Sequence, residues 1–315
     1  MVAIGKSDLN IFPLALGGNT FGWTSDEATS FEILDAFAAG GGNFIDTADS
    51  YSAFAQGNSG GESETILGRW LASRGDRDHM VIATKVSRHP DFPGLAPANI
   101  RAAAEASLNR LRTDYIDVYF AHYDDPETPL VESLAAFDQL VHDGLVRHIA
   151  ISNYSPARIR EWLALAADNG FTAPIALQPH YNLVHRGDYE PEIEAIAVEN
   201  DLGVFPYYSL AAGFLAGKYR TVEEFGSHTR QRMAQRYFSD AGLAVVDALG
   251  RIAAAHSAEI STIALTWLLT RPGITAPIAS ASRLEQLPAL LDAPAVTLTS
   301  SEIDELTTLS DAVGT

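Results

Sequence analysis

The sequence predicts a single (β/α)8 TIM barrel, and three observations carry that expectation. Eight short runs of strand type alternate, along 315 residues, with longer stretches of helical period, the pattern of repeated βα units around a parallel sheet. No linker rich in Pro, Gly or Ser and no low-complexity tract divides the chain, so residues 1–315 read as one domain. The first run continues as LALGGNTFGW, which does not spell the GxGxxG of a doubly wound dinucleotide-binding sheet.

A short N-terminal segment is expected to close the bottom of the barrel. The first strand, LALG (14–17), leads to a helix over 26–39 announced by the capping string Thr24-Ser25-Asp26-Glu27. The second, NFIDTA (43–48), follows three glycines at 40–42, and a Gly/Ser-rich loop separates it from a helix over 62–73. MVIATK (80–85) and IDVYFAH (116–122) are the near-continuous apolar runs of strands covered on both faces, with helices over 97–112 and 130–143 after them. RHIAIS (147–152) precedes a helix over 156–169 whose Ser155-Pro156 start places proline in the first turn. IALQ (175–178), GVFPYY (203–208) and ITAPIA (274–279) complete the eight, with helices over 190–201, over 241–270 as two pieces, and over 283–292. An extra C-terminal helix is expected near 300–311.

The formal charge is −19, from 21 basic and 40 acidic residues, and the cations form no stripe or run. Such a surface repels nucleic acid and anionic membranes, so neither is an expected partner. With no cysteine, disulfides and thiolate metal sites are excluded. MVAIGKSDLN lacks the pattern of a signal peptide, and no uncharged apolar run approaches the roughly 18 residues that span a membrane. The expectation is a cytoplasmic protein.

In such a barrel the chemistry gathers where the C-terminal ends of the strands meet the βα loops. The polar residues there are Asn19 and Thr20, Asp46 and Tyr51, Lys85, His122, Ser152 and Asn153, Gln178, Tyr207 and Ser280. Each alone has an ordinary explanation as a cap, a snorkelling cation or a hydrogen-bonded core group. Together Asp46, Lys85 and Tyr51 form a chain in which a carboxylate holds an ammonium and the ammonium stabilises phenolate. A positive neighbour is expected to lower the tyrosine from its usual pKa of about 10 toward the working range of an acid that also acts as a base. His122 adds a donor beside the tyrosine hydroxyl that can orient a carbonyl oxygen. The chain has no HExxH, and none of its nine histidines forms an HxH pair. An acid pair without a metal needs electrons from elsewhere, which implies a hydride-carrying cofactor.

These residues resemble those of the aldo-keto reductase family. The likeness runs through NFIDTADSYS, VIATKV, DVYFAHYDD, VRHIAISNYS, ALQPHYN, PYYSLAAGFLAGKY and PIASASRLEQL, in the family's order and over nearly the whole chain. The resemblance implies a catalytic tetrad of Asp46, Tyr51, Lys85 and His122, a small-molecule carbonyl or alcohol as substrate, and NADPH (NADP+) as cofactor. It further implies that Thr20, Asp46, Ser152, Asn153 and Gln178 lie at the nicotinamide end, with Tyr207 stacked on the ring. Leu210, Gly217 and Lys218 are implied at the pyrophosphate, Arg230 of the insertion 220–238 reaching the cofactor, and Ser280, Arg283 and Gln286 at the adenosine 2′-phosphate and ribose. Arg283 is the reason to expect NADPH over NADH, since the extra phosphate needs a charge-assisted partner.

Trp23, Phe54 and Tyr123, with Phe21 and Phe92, are candidate walls of a substrate pocket, without naming a substrate. Against the family pattern, Ala279-Ser280 replaces a frequent Pro-Gly, Tyr208-Ser209 replaces Ser-Pro, Tyr123 stands for Trp, and an adenine-contacting Asn near Leu290 is missing. Two other classes stay open. One is a nicotinamide-binding sensor or regulatory subunit of the same fold, since related proteins serve ion channels; the other is a metal-dependent barrel hydrolase.

Overall fold

The computed structural model describes residues 1–75, 77–226 and 229–313, without the side chains of 229 and 230. Eight parallel strands run in chain order around a ring: β1 (Ala15–Gly17), β2 (Phe44–Asp46), β3 (Val81–Val86), β4 (Ile116–Ala121), β5 (Val146–Ser152), β6 (Ala176–Gln178), β7 (Gly203–Val204) and β8 (Ile278–Ala279). β8 pairs back onto β1, and the ring closes where Val204 bridges Ile274 and the Ile278 N–H donates to Pro206 O at 2.9 Å.

Around the ring lie α1 (Glu27–Ala39), α2 (Glu62–Arg74), α3 (Pro97–Leu111), α4 (Leu130–His142), α5 (Pro156–Asn169), α6 (Glu192–Asn200), α7 (Thr229–Gln235), α8 (Asp240–His256), α9 (Ile260–Leu269), α10 (Leu287–Leu291) and α11 (Ser300–Asp311). The caps act as their sequences suggest: Asp26 accepts from the Thr29 N–H at 2.8 Å and Ser155 from the Arg158 N–H at 3.3 Å. The stretch 241–270 forms two helices, α8 and α9, joined at a 97° bend. Among the described residues no single helix is long and apolar enough to cross a membrane.

Strands 203–208 and 274–279 are shorter as regular ladders than the sequence suggests. Proline has no N–H to donate, and Pro206 and Pro277 interrupt them. The helix expected over 283–292 starts as a 3-10 turn, Leu284–Gln286, before α10. Two short hairpins were not anticipated, Val2–Ala3 with Asn10–Ile11 and Arg88–His89 with Phe92–Pro93.

Side chains alternate in and out along every barrel strand, so the core has two shells. Phe44, Val81, Ala83, Val118 and Phe120 point into the ring, and Ile4, Leu9 and Ile11 of the N-terminal segment plug its lower end. Ile45, Ile82, Tyr119 and Ile151 point outward against the helices. This period of two places the site. Counting two from Phe44 gives Asp46, two from Ala83 gives Lys85 and two from Phe120 gives His122, all on the inner face at the upper rim. Gly17 occupies that layer on β1 because a Cβ there would lie 2.4 Å from Ser280 Oγ.

Candidate active site

The inward-facing ammonium of Lys85 is fully buried, and each of its three protons has a destination. Nζ lies 2.7 Å from Asp46 and 2.7 Å from the Thr47 carbonyl oxygen, and donates to the Tyr51 hydroxyl at 3.0 Å. Asp46, itself 1% exposed, also accepts from Gln178 Nε2 at 2.9 Å and from Tyr51 Oη at 3.2 Å. An ion pair so deeply buried survives only when its remaining donors and acceptors are met, as they are here.

The Tyr51 hydroxyl thus accepts from Lys85 and donates to Asp46. Burial, reinforced by the Asp46 carboxylate, pushes it well above the ordinary phenol range, opposite to the sequence expectation that Lys85 would lower it. The carboxylate partner of the lysine lies within reach of the same hydroxyl, and burial penalises phenolate. Tyr51 therefore holds its proton in the free protein. Burial also lowers Lys85, although Asp46 opposes the shift. His122, its ring 6.3 Å from that of Tyr51, is pushed far below its usual value by burial and by the charges of Lys85 and Arg88, so the imidazole is neutral. Its Nδ1 is buried with no hydrogen-bond partner among the described residues.

The ends of β5 to β7 form a second polar group. Ser152 Oγ donates to Gln178 O at 2.7 Å; Asn153 Nδ2 donates to His122 O at 2.9 Å and its Oδ1 accepts from Tyr207 Oη at 2.7 Å. Asn153 takes a left-handed φ of 58°, which asparagine tolerates better than most residues. The half-buried Tyr207 ring packs at 5.3 Å and 18° on His180, which stacks at 3.7 Å on His185. A cleft of about 450 Å³ opens beside Asn153, Gln178, His180 and Tyr207, bounded by residues 187–193.

His180, His185 and Asp188 bring ligand-type atoms within 4.8 Å of one another. His180 Nδ1 and His185 Nε2 lie 3.8 and 2.7 Å from the same Asp188 oxygen, and His180 Nε2 meets the Tyr237 hydroxyl at 2.9 Å. The string Gly57-Asn58-Ser59-Gly60-Gly61 spells GxSxG, but it lies in the long loop between β2 and α2 and not on a strand-to-helix elbow.

The loop after β7 turns through Tyr208, Ala211, Ala212 and Gly213, all at positive φ, a path that favours small side chains. Leu210 packs against the core, Gly217 ends the turn at φ 72°, and Lys218 is exposed. The side chain of Arg230 lies outside the described residues. At the end of β8, Ser280 Oγ donates to Asn19 Oδ1 at 2.6 Å and Gln286 Oε1 accepts from the Ser282 N–H at 2.8 Å. Arg283 is exposed with no ion pair among the described residues. The Thr20 hydroxyl is buried and donates to Ala281 O at 3.0 Å, tying the first βα loop to the last.

Of the aromatic candidates, Trp23 and Phe54 meet edge to face at 4.8 Å, with Phe54 62% exposed. Tyr123 lies 5.0 Å from the His122 ring, Phe92 packs on His89, and Phe21 is fully buried in the core. Sequence reasoning missed the Gln178 bond to Asp46, the His180 backing of Tyr207, and the 3.8 Å stacking of Arg88 on Tyr123. Only His180 left a trace, two residues beyond Gln178 on the same alternation.

A model of the Aldo/keto reductase family matches residues 13–311. The chain is 33% identical to the uncharacterized oxidoreductase YrpG of Bacillus subtilis, over 94% of this chain and 91% of that one. It is 32% identical to norsolorinic acid reductase stcV of Emericella nidulans, over 95% and 78%. It is 29% identical to a probable voltage-gated potassium channel subunit beta of Arabidopsis thaliana, over 90% and 88%.

Proposed function

The chain belongs to the Aldo/keto reductase family of oxidoreductases, and on that premise we propose that it is an NADPH-dependent carbonyl reductase with Tyr51 as proton donor. The observation that carries the reading is the closed set Asp46, Lys85, Tyr51 and His122, in which a protonated phenol and a neutral imidazole share one buried mouth. A bound nicotinamide supplies the hydride. Lys85, fixed by Asp46, holds its charge against the Tyr51 oxygen and so stabilises the phenolate left when the proton moves to the carbonyl oxygen. Neutral His122 gives that oxygen a second hydrogen-bond partner. Ser152, Asn153, Gln178 and Tyr207 would hold the nicotinamide, the tight turn at 208–213 with Gly217 and Lys218 the pyrophosphate, and Arg283 the 2′-phosphate.

The test is loss of nicotinamide absorbance with a panel of aldehydes and ketones under NADPH and under NADH. Tyr51→Phe should abolish most turnover while leaving cofactor affinity in place; full activity in that variant would remove Tyr51 from the acid role. The likeness to a channel subunit supports a second reading, a nicotinamide-binding regulatory subunit. One oxidation per bound cofactor with no further turnover would favour that second reading.

A further inference from the structure

One cation at the barrel mouth has no part in the tetrad. Arg88 stands on the hairpin of the loop after β3, exposed, its guanidinium 3.8 Å from the centre of the Tyr123 ring. Tyr123 in turn lies 5.0 Å from the His122 imidazole. Arg88 is therefore two ring contacts from the group that faces the carbonyl, and close enough for its charge to act on His122.

Among the described residues Arg88 makes no ion pair and no side-chain hydrogen bond, in a chain with 40 acidic residues against 21 basic ones. Other arginines, Arg77, Arg110, Arg158 and Arg186 among them, each rest on a carboxylate. The acids that follow Tyr123 are engaged elsewhere. Asp124 pairs with Arg158 at 3.0 Å, and Asp125 accepts from the Leu95 N–H at 2.7 Å and the Thr128 hydroxyl at 2.8 Å. Stacking uses the face of a guanidinium and leaves the N–H groups at its edge directed outward in a fork that matches a carboxylate. A phosphate dianion would call for a second cation, and the other one at this mouth, Lys85, is enclosed by Asp46, Thr47 and Tyr51.

We propose that Arg88 binds the carboxylate of the substrate, so that the preferred substrates are small aldehydes or ketones carrying a carboxylate. The inference rests on the reductase reading and narrows it. Tyr123 orients the guanidinium and offers its ring to the spacer between the two groups, while the carbonyl oxygen meets Tyr51 and His122.

The experiment compares para-carboxybenzaldehyde with its methyl ester under saturating NADPH. A single charge-assisted contact gives the acid a kcat/KM about tenfold or more above the ester, carried by KM. Raised salt narrows that ratio, since Arg88 is exposed. Arg88→Met brings the ratio to about one, and Arg88→Lys keeps part of it because the charge survives without the fork. Equal kcat/KM for acid and ester in the unaltered protein overturns the proposal without any variant, as does a preference for the acid that persists in Arg88→Met. Turnover of neither compound, nor of any other carbonyl, removes the reductase reading and this inference with it. Turnover of the ester without preference for the acid removes only the inference.

Discussion

Lys85 Nζ donates to the Tyr51 hydroxyl at 3.0 Å while the same ammonium rests 2.7 Å from Asp46, so the phenol and the carboxylate share one buried cation. The site is then also part of the core. Lys85→Met removes the charge that stabilises phenolate and leaves the Asp46 carboxylate buried with only Gln178 and Tyr51 as partners. We expect kcat for aldehyde reduction to fall by about a hundredfold or more. Breaking one side of a buried pair also costs about 3–5 kcal/mol of stability. Steady-state rates and urea unfolding of one preparation check both; a stable and active Lys85→Met protein would contradict the arrangement.

The pH dependence follows from the directions of the shifts. His122 is held far below its usual value and Tyr51 well above its own, so neither changes charge in the free protein between about pH 6 and 9. Because kcat/KM reports the free enzyme, it should show no limb from either group across that window. An alkaline fall would come from Lys85, whose burial lowers it, coupled to Tyr51, or from the neighbouring Asp49, raised to about 8. A pH–rate profile with a limb near pH 6.5, as for an ordinary histidine, would show that His122 is charged in part and that its assigned state is wrong.

The rim positions of Asp46, Lys85 and His122 were legible in the sequence as strand C-terminal ends, and alternation along a strand turns all three to the inner face. Phe44 to Asp46, Ala83 to Lys85 and Phe120 to His122 are steps of two, and an apolar residue known to point inward fixes the next one. Most helix positions were also readable, down to the caps at Asp26 and Ser155, though α7 (Thr229–Gln235) was not among them. What was not legible depends on side chains meeting across the ring. Gln178 and Asp46 stand 132 positions apart, and either of two partners, a ligand or the carboxylate, satisfies the Gln178 amide in principle. Arg88 reaches Tyr123 only because residues 88–93 fold into a hairpin, which so short a string does not announce. The Tyr51 shift had the opposite sign because adjacency gives the charge of Lys85 but not the loss of water around the phenol.

The proposed preference for NADPH rests on Arg283. It is exposed at the end of β8, without an ion pair among the described residues, while neighbouring Gln286 is tied to the Ser282 backbone. If its guanidinium meets the 2′-phosphate, Arg283→Gln should weaken NADPH binding by about tenfold or more and leave NADH binding nearly unchanged. Fluorescence titration with both cofactors measures the split. An equal loss for both would place Arg283 on a feature the two share.

Asp49 is fully buried, its two carboxylate oxygens have no hydrogen-bond partner among the described residues, and burial, with the nearby Glu64 carboxylate, pushes its pKa up to about 8. The folded protein therefore keeps a proton on Asp49 that the unfolded chain, with an ordinary carboxylate near 3.8, releases. With the native value raised, the stability this group contributes is whole at acid pH, below the unfolded value, and is lost as pH climbs toward about 8. Asp49→Asn carries no charge in either state and lacks that slope. Its advantage in Tm over the unaltered protein should thus widen steadily from about pH 5 to 8. Thermal unfolding of the two proteins across that range measures the gap. A gap that does not change with pH would mean that Asp49 is already ionised in the folded protein, with the charge of Arg110 acting to hold it.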